Sequence, residues 1–105
     1  MKGERLGEFE ELVLLCVRRL GDEEAYGAGI QEALAEQGGR EVTLGAIYAA
    51  LDRTQRKGFT ESWLAKPTAK RGGRAKRHYR VTTEGEGALR ESRDVRERLW
   101  RSAEA

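Results

Sequence analysis

The stretch from Thr43 to Gly58, TLGAIYAALDRTQRKG, constrains the fold more than any other. Thr43 offers a hydroxyl to an orphan amide of a first helical turn, and Leu44, Ile47, Tyr48 and Leu51 follow at helical spacing. Gly58 ends the pattern behind Arg56 and Lys57, cations placed at the negative end of the helix dipole. The spacing predicts a helix with an apolar stripe on one face. The opposite face carries Ala46, Ala49, Ala50, Arg53 and Arg56, small residues first and cations later. A face so nearly free of side chains can approach another surface closely, and a DNA major groove about 12 Å wide admits such a helix. An alanine-rich face is also what any good helix former presents, so the neighbouring segments decide.

The segment that follows is the most polarised of the chain. Residues 62–80 hold Lys66, Lys70, Arg71, Arg74, Lys76, Arg77 and Arg80 with no acid, net +7. Residues 1–61 carry 8 Lys/Arg against 12 Asp/Glu, and residues 81–105 carry 5 against 6, so the overall +2 conceals the contrast. Phe59–Leu64 alternates apolar with polar as a strand does. Pro67 and Lys70–Gly73 interrupt it, and Gly72-Gly73 suits a hairpin tip. Ala75–Val81 returns with Tyr79 and Val81 on one face and Lys76, His78 and Arg80 on the other, which reads His78 as a phosphate-near or simply exposed strand residue. Crowded cations repel one another, and a phosphate backbone relieves that; a merely solvated basic loop is the alternative.

Upstream, Leu6, Phe9, Leu12, Val13, Cys16, Val17 and Leu20 define a helix with acids in its first turns and Arg18 and Arg19 in its last. Leu12 to Val17 is apolar without a break, so Leu14 and Leu15 add a second greasy face, which predicts burial against a second copy of the chain. Tyr26, Ile30, Ala33, Leu34 and Gln37 mark the next helix, closed by Gly38-Gly39, and a tight approach of another helix or a phosphate backbone would be a reason for Gly27 and Gly29 within it. The last element starts at Thr83, with Glu86 completing a capping box. Ala88, Ser92, Val95, Leu99 and Ser102 then form a weak heptad-like seam, with Leu89 and Trp100 beside it.

Helix, helix, then basic hairpin is the order of a winged helix-turn-helix. The fold class expected is mainly α with a β-hairpin wing, plus a C-terminal dimerisation helix: residues 1–82 for the DNA-binding part and 83–105 for the helix. With 38% hydrophobic and 36% charged residues the core is thin, and a partner subunit would help it. No apolar run is long enough for a membrane span, the charged N-terminus does not read as a signal peptide, and the lone Cys16 sits among apolar neighbours. The expectation is a cytoplasmic protein without disulfides, cofactors or metals, and not an enzyme. His78 lacks the partners that a metal site or general base needs.

Leu12–Leu15, Tyr26-Gly27, Leu44–Leu51, Lys57–Phe59, Gly72–Thr82 and Glu84-Gly85 together resemble the PadR-type transcriptional regulators, over about residues 6–90. The resemblance implies a bacterial or archaeal homodimeric repressor of the small subfamily, with a single C-terminal helix. It implies that Tyr26 and Tyr48 touch or frame the phosphate backbone, that the 43–57 helix enters the major groove, and that Lys70 to Lys76 form the wing tip. Thr54 and Thr60 depart from the aliphatic residues usual there; their methyl groups are expected to face the core while the hydroxyls bond locally.

The DNA-binding residues expected are therefore Tyr26, Thr43, Ala46, Tyr48, Ala49, Arg53, Lys70, Arg71, Gly72, Arg74 and Lys76, with base contacts from Thr43, Ala46, Ala49 and Arg53. A two-fold dimer calls for an inverted-repeat operator in double-stranded DNA. Phe9, Leu12, Leu15, Val95, Leu99 and Trp100 are the expected dimer interface. In some PadR-like proteins that interface holds flat aromatic effectors, which makes Trp100 a candidate contact for a small aromatic or hydrophobic effector; core or interface packing is the other reading of Trp63 and Trp100. Two further classes remain open: a winged-helix module binding an acidic protein partner, and a small-molecule binder with no DNA role.

Overall fold

The computed structural model of the chain describes residues 5–66 and 75–105. Its elements are α1 (Glu8–Leu20), α2 (Gly27–Gly38), α3 (Leu44–Arg56), β1 (Thr60–Leu64), β2 (Arg77–Val81) and α4 (Thr83–Glu104). Four helices and a two-stranded antiparallel hairpin make a winged-helix fold, in the order that the sequence predicts. Val13, Val17, Ile30, Leu34, Ile47, Ala50 and Leu51 meet where the first three helices cross, so each helix spends its apolar stripe there. α2 and α3 are both stopped by a glycine in the left-handed region, Gly39 (φ 66°) and Gly58 (φ 83°). Thr43 caps α3 as expected, its Oγ1 accepting from the Ala46 amide at 3.1 Å.

Several expectations shift by a face or a residue. The buried line of α3 is Ile47, Ala50, Leu51 and Thr54; Leu44 and Tyr48 are exposed, and Ala50 belongs to the core. Tyr48 leaves the core because its ring lies across Gly27, where a Cβ would collide with the Tyr48 hydroxyl. That is the tight approach foreseen from Gly27. Gln37 is exposed, since the last turn of α2 runs past the core. The cap of α4 is Thr82, not Thr83: its Oγ1 accepts from the Gly85 amide at 3.0 Å and donates to the Gly58 carbonyl at 2.7 Å. Glu86 makes no capping box; it pairs with Arg18 of α1 at 2.9 Å. The second apolar face of α1 is largely filled from within the chain, because Leu14 packs with Phe59 and Leu89 in a core of its own. Leu15 alone of that pair stays 45% exposed.

The hairpin pairs Thr60 with Val81 through to Leu64 with Arg77. Its other edge is joined by a bridge between Tyr26 and His78, with the Tyr79 amide donating to the Ala25 carbonyl at 2.9 Å. This third partner overturns the exposed reading of His78. The ring is buried between Tyr26 and Trp63, and Nδ1 lies 2.6 Å from the Asp22 carbonyl.

The hydroxyls of Thr54 and Thr60 bond locally, as expected. Both are buried; the Thr54 hydroxyl donates to the Leu51 carbonyl at 3.0 Å, which leaves the Thr60 hydroxyl to donate to Thr54 Oγ1 at 3.0 Å. Thr54→Val would strand the Thr60 donor in the core, a loss of about 1–3 kcal/mol. Adding Thr60→Val removes the stranded group, so denaturant melts of the double variant should show most of that loss recovered.

Candidate nucleic-acid interface

The outward face of α3 consists of Thr43, Gly45, Ala49, Asp52 and Arg56, with Ala46 half-buried and Tyr48 46% exposed beside them. No segment of the described chain covers Ala49. Asp52 and Arg56 pair at 3.4 Å on this surface, so the cations late in the helix are partly compensated. Arg53 is held from behind: its Nε donates to Glu10 Oε2 at 2.9 Å, and the side chain is still 43% exposed.

The hairpin stands beside this face and is tied to it. Arg77 donates to Ser62 Oγ at 2.9 Å, and Ser62 donates to Gln55 Oε1 of α3 at 2.9 Å. Lys76 holds its ammonium 5.0 Å from the centre of the Tyr26 ring, a cation–π contact that steers the lysine stem. Tyr26 itself is buried, so its ring supports Lys76 and His78 more than it faces solvent. Lys66 is exposed. Arg80, counted with the basic run, is committed elsewhere: it pairs with Asp22 at 2.7 Å and Glu61 at 3.4 Å and lies 4.8 Å over the Trp63 ring. The hydrogen bond from Arg80 holds the Asp22 carboxyl below its ordinary range. Lys70, Arg71, Gly72 and Arg74, the expected wing tip, lie outside the described residues.

Glu10 is the residue that sequence reasoning missed. Counted only as an acid near a helix N-terminus, it is in fact buried and accepts from Lys57 Nζ at 2.8 Å, Arg53 Nε at 2.9 Å and the Gly7 amide at 2.8 Å. The signal was its position three, four and seven residues before Val13, Leu14 and Val17, on the buried side of α1. Burial alone would raise its pKa, but the Lys57, Gly7 and Arg53 bonds outweigh burial and bring it below the ordinary value. A lowered carboxyl stabilises the fold above its unfolded pKa, about 4.5, and that stability is lost as pH falls through the folded value. Thermal melts between about pH 6 and pH 3 should therefore show wild type losing its advantage over Glu10→Gln on the acid side.

The expected dimer residues divide. Leu15, Leu99 (65% exposed) and Trp100 (67%) face outward, Val95 is half-buried, and Phe9 and Leu12 lean on the protein's own core. Leu15, Leu89, Arg18, Arg93, Arg96 and Trp100 line a groove of about 310 Å³ between α1 and α4. Cys16 is buried, and burial pushes its thiol pKa up. Among the described residues no helix is long and apolar enough to cross a membrane, and no group of three or more His, Cys, Asp or Glu is placed to hold a metal ion.

Solved structures share this fold. A PadR-like transcription factor from Bacteroides fragilis superposes with a TM-score of 0.76 at 22% identity, over 91% of this chain and 86% of that one. A PadR family regulator from Eggerthella lenta gives 0.73 at 25%, over 90% and 77%. Bacillus subtilis PadR, solved in complex with operator DNA, gives 0.68 at 20%, over 82% of this chain and 46% of that one. Comparison with curated proteins gives no match. The model of the family described as "Transcriptional regulator PadR-like family" matches residues 14–91, from the buried side of α1 through the hairpin into α4. With most of its length matched, the chain belongs to the PadR-like family of transcriptional regulators.

Proposed function

We propose that this regulator is a homodimeric repressor that binds an inverted-repeat operator in double-stranded DNA and is released by a small-molecule effector. The observation that carries the reading is the open face of α3, with Ala49 exposed at its centre, and the hairpin tied to the same helix through Ser62 and Gln55. α3 enters the major groove, where the Thr43 methyl, Ala46 and Ala49 contact thymine methyls and Arg53, steadied by Glu10, reaches guanine. Tyr48, Lys76 and the tip residues Lys70, Arg71, Gly72 and Arg74 meet phosphates, which position the protein and carry no sequence information; Tyr26 acts behind Lys76. The operator complex of the Bacillus subtilis relative supports the same use of the fold.

Residues 1–82 form the DNA-binding part and residues 83–105 the dimerisation helix, which pairs with the help of α1. Leu15, Leu99 and Trp100 form the centre of the dimer contact, flanked by Val95, Phe9 and Leu12. An aromatic effector stacked on Trp100 would favour a dimer whose two α3 helices no longer fit the groove spacing, a population shift. The protein works in the cytoplasm, beside its DNA, and it is a binding protein, not an enzyme.

Selection of bound duplexes from a random pool tests this. The expected product is an inverted repeat with half-site centres about 34 Å apart. A pool that never enriches would remove the DNA reading, and a single unrepeated site would remove the dimer. For the effector, Trp100 fluorescence in a Trp63→Phe background should respond to some member of a panel of aromatic compounds; a flat panel would strike the effector alone.

A further inference from the structure

Glu10 and Glu11 are consecutive on α1, both buried, and different helices grip them. Glu10 takes Arg53 of α3 and Lys57 just past its end, at 2.9 and 2.8 Å. Glu11 Oε1 takes Arg96 of α4, from Nη2 at 2.9 Å and Nε at 3.3 Å. One hundred degrees apart on a helix of 3.6 residues per turn, adjacent side chains suit this division, one facing each neighbour. Arg18, two turns further along α1, holds α4 again through Glu86 at 2.9 Å.

A buried carboxylate does not release its cation readily, because an unpaired charge there is strongly disfavoured. α1 is also packed on both sides, by α2 and α3 on one and by Phe59 and Leu89 on the other, and such packing favours a small shift of the whole helix over a bend. Beyond Arg96, α4 carries exposed Leu99 and Trp100, which gives outside contacts a lever on that helix.

We propose that Glu10 and Glu11 are a transmission: a displacement of α4 at Arg96 turns α1 through Glu11, and α1 delivers it to Arg53 and Lys57 through Glu10. What is altered is the pose of α3, and with it the surface that meets DNA. Its regulatory consequence rests on the DNA reading above, whereas the mechanical link does not. Glu10, Glu11 and Arg96 are positioning residues here; none of them touches the duplex.

The test uses the full chain as wild type, Arg96→Gln, Arg96→Lys, Glu11→Gln, Glu10→Gln and the Arg96→Gln/Glu10→Gln pair. Without DNA, the Arg53 Nε–H resonance of nitrogen-15-labelled protein is expected to move in Arg96→Gln and in Glu11→Gln, two independent ways of loosening the same tie, and to return towards wild type in Arg96→Lys. Affinity for the selected duplex is expected to change about fivefold in Arg96→Gln, with no further change when it is added to Glu10→Gln. An Arg53 resonance that stays put in both Arg96→Gln and Glu11→Gln overturns the transmission, and so does an affinity change that simply adds to that of Glu10→Gln. Failure of wild type to bind any DNA would instead strike the proposed function, and the resonance alone would then decide the link.

Discussion

Ala49→Glu is expected to lower affinity for the operator by about 100-fold, or about 2.7 kcal/mol, with little change in stability. Ala49 lies exposed at the middle of the α3 face, outside the core. Glutamate is a good helix former, so the propensity cost is a few tenths of a kcal/mol, and repulsion from Asp52 three residues on adds a similar amount. In the groove, the same side chain would bring an unpaired carboxylate against base edges and between two phosphate backbones. Both half-sites of a dimer would suffer at once. Ala49→Ser, nearly as small, should retain most binding. Titration of a labelled duplex alongside a melting curve separates the two effects, and undiminished affinity in Ala49→Glu would mean that another surface meets the DNA.

Gly85→Ala is expected to destabilise the fold by about 3 kcal/mol, lowering the melting temperature by about 12–24 °C. Gly85 is buried in the first turn of α4, where a Cβ would overlap the Phe59 carbonyl oxygen and lie 2.7 Å from Val81 Cγ1. Phe59 cannot yield easily, since its carbonyl accepts from the Thr82 amide at 3.0 Å and its ring lies in the core with Leu14 and Leu89. The junction of hairpin and α4 would have to open. Gly87→Ala is the contrast: nothing lies within 4 Å of a Cβ there, so it should stabilise by up to about 1 kcal/mol. Calorimetry on both variants decides, and two small shifts of like sign would contradict this packing.

The order of helices and strands was legible because it is written locally. Caps, stops and periods act within a few residues, and Thr43, Gly39 and Gly58 act in the structure as they read in the chain, while Phe59–Leu64 supplies the strand Thr60–Leu64 without the burial alternation it suggests, since Thr60 is buried and Leu64 exposed. What misled were features decided by distant segments. His78 is buried because the Tyr26 strand edge reaches the hairpin from more than fifty residues away, which no alternation within Ala75–Val81 can reveal. Arg80 looks like a free cation until Asp22 is brought beside it. Tyr48 completes an apolar stripe on paper, yet Gly27 gives its ring a seat outside the core. On the second face of α1, Leu14 is covered by Phe59 and Leu89 of the same chain, which leaves Leu15 to face outward. In the candidate interface, Ala49 lies on the open face of α3 as its spacing suggests, whereas Ala50 turned into the core, and the Glu10 clamp behind Arg53 required knowing that α1 crosses α3 at that point.

Methylation interference on the selected duplex asks most directly whether α3 enters the major groove. Guanine N7 lies on the major-groove edge, and adenine N3 lies in the minor groove. Premethylation at N7 is expected to block binding in two clusters about one helical turn, 34 Å, apart. Blocking by N3 methylation alone, or by neither, would contradict the insertion of α3.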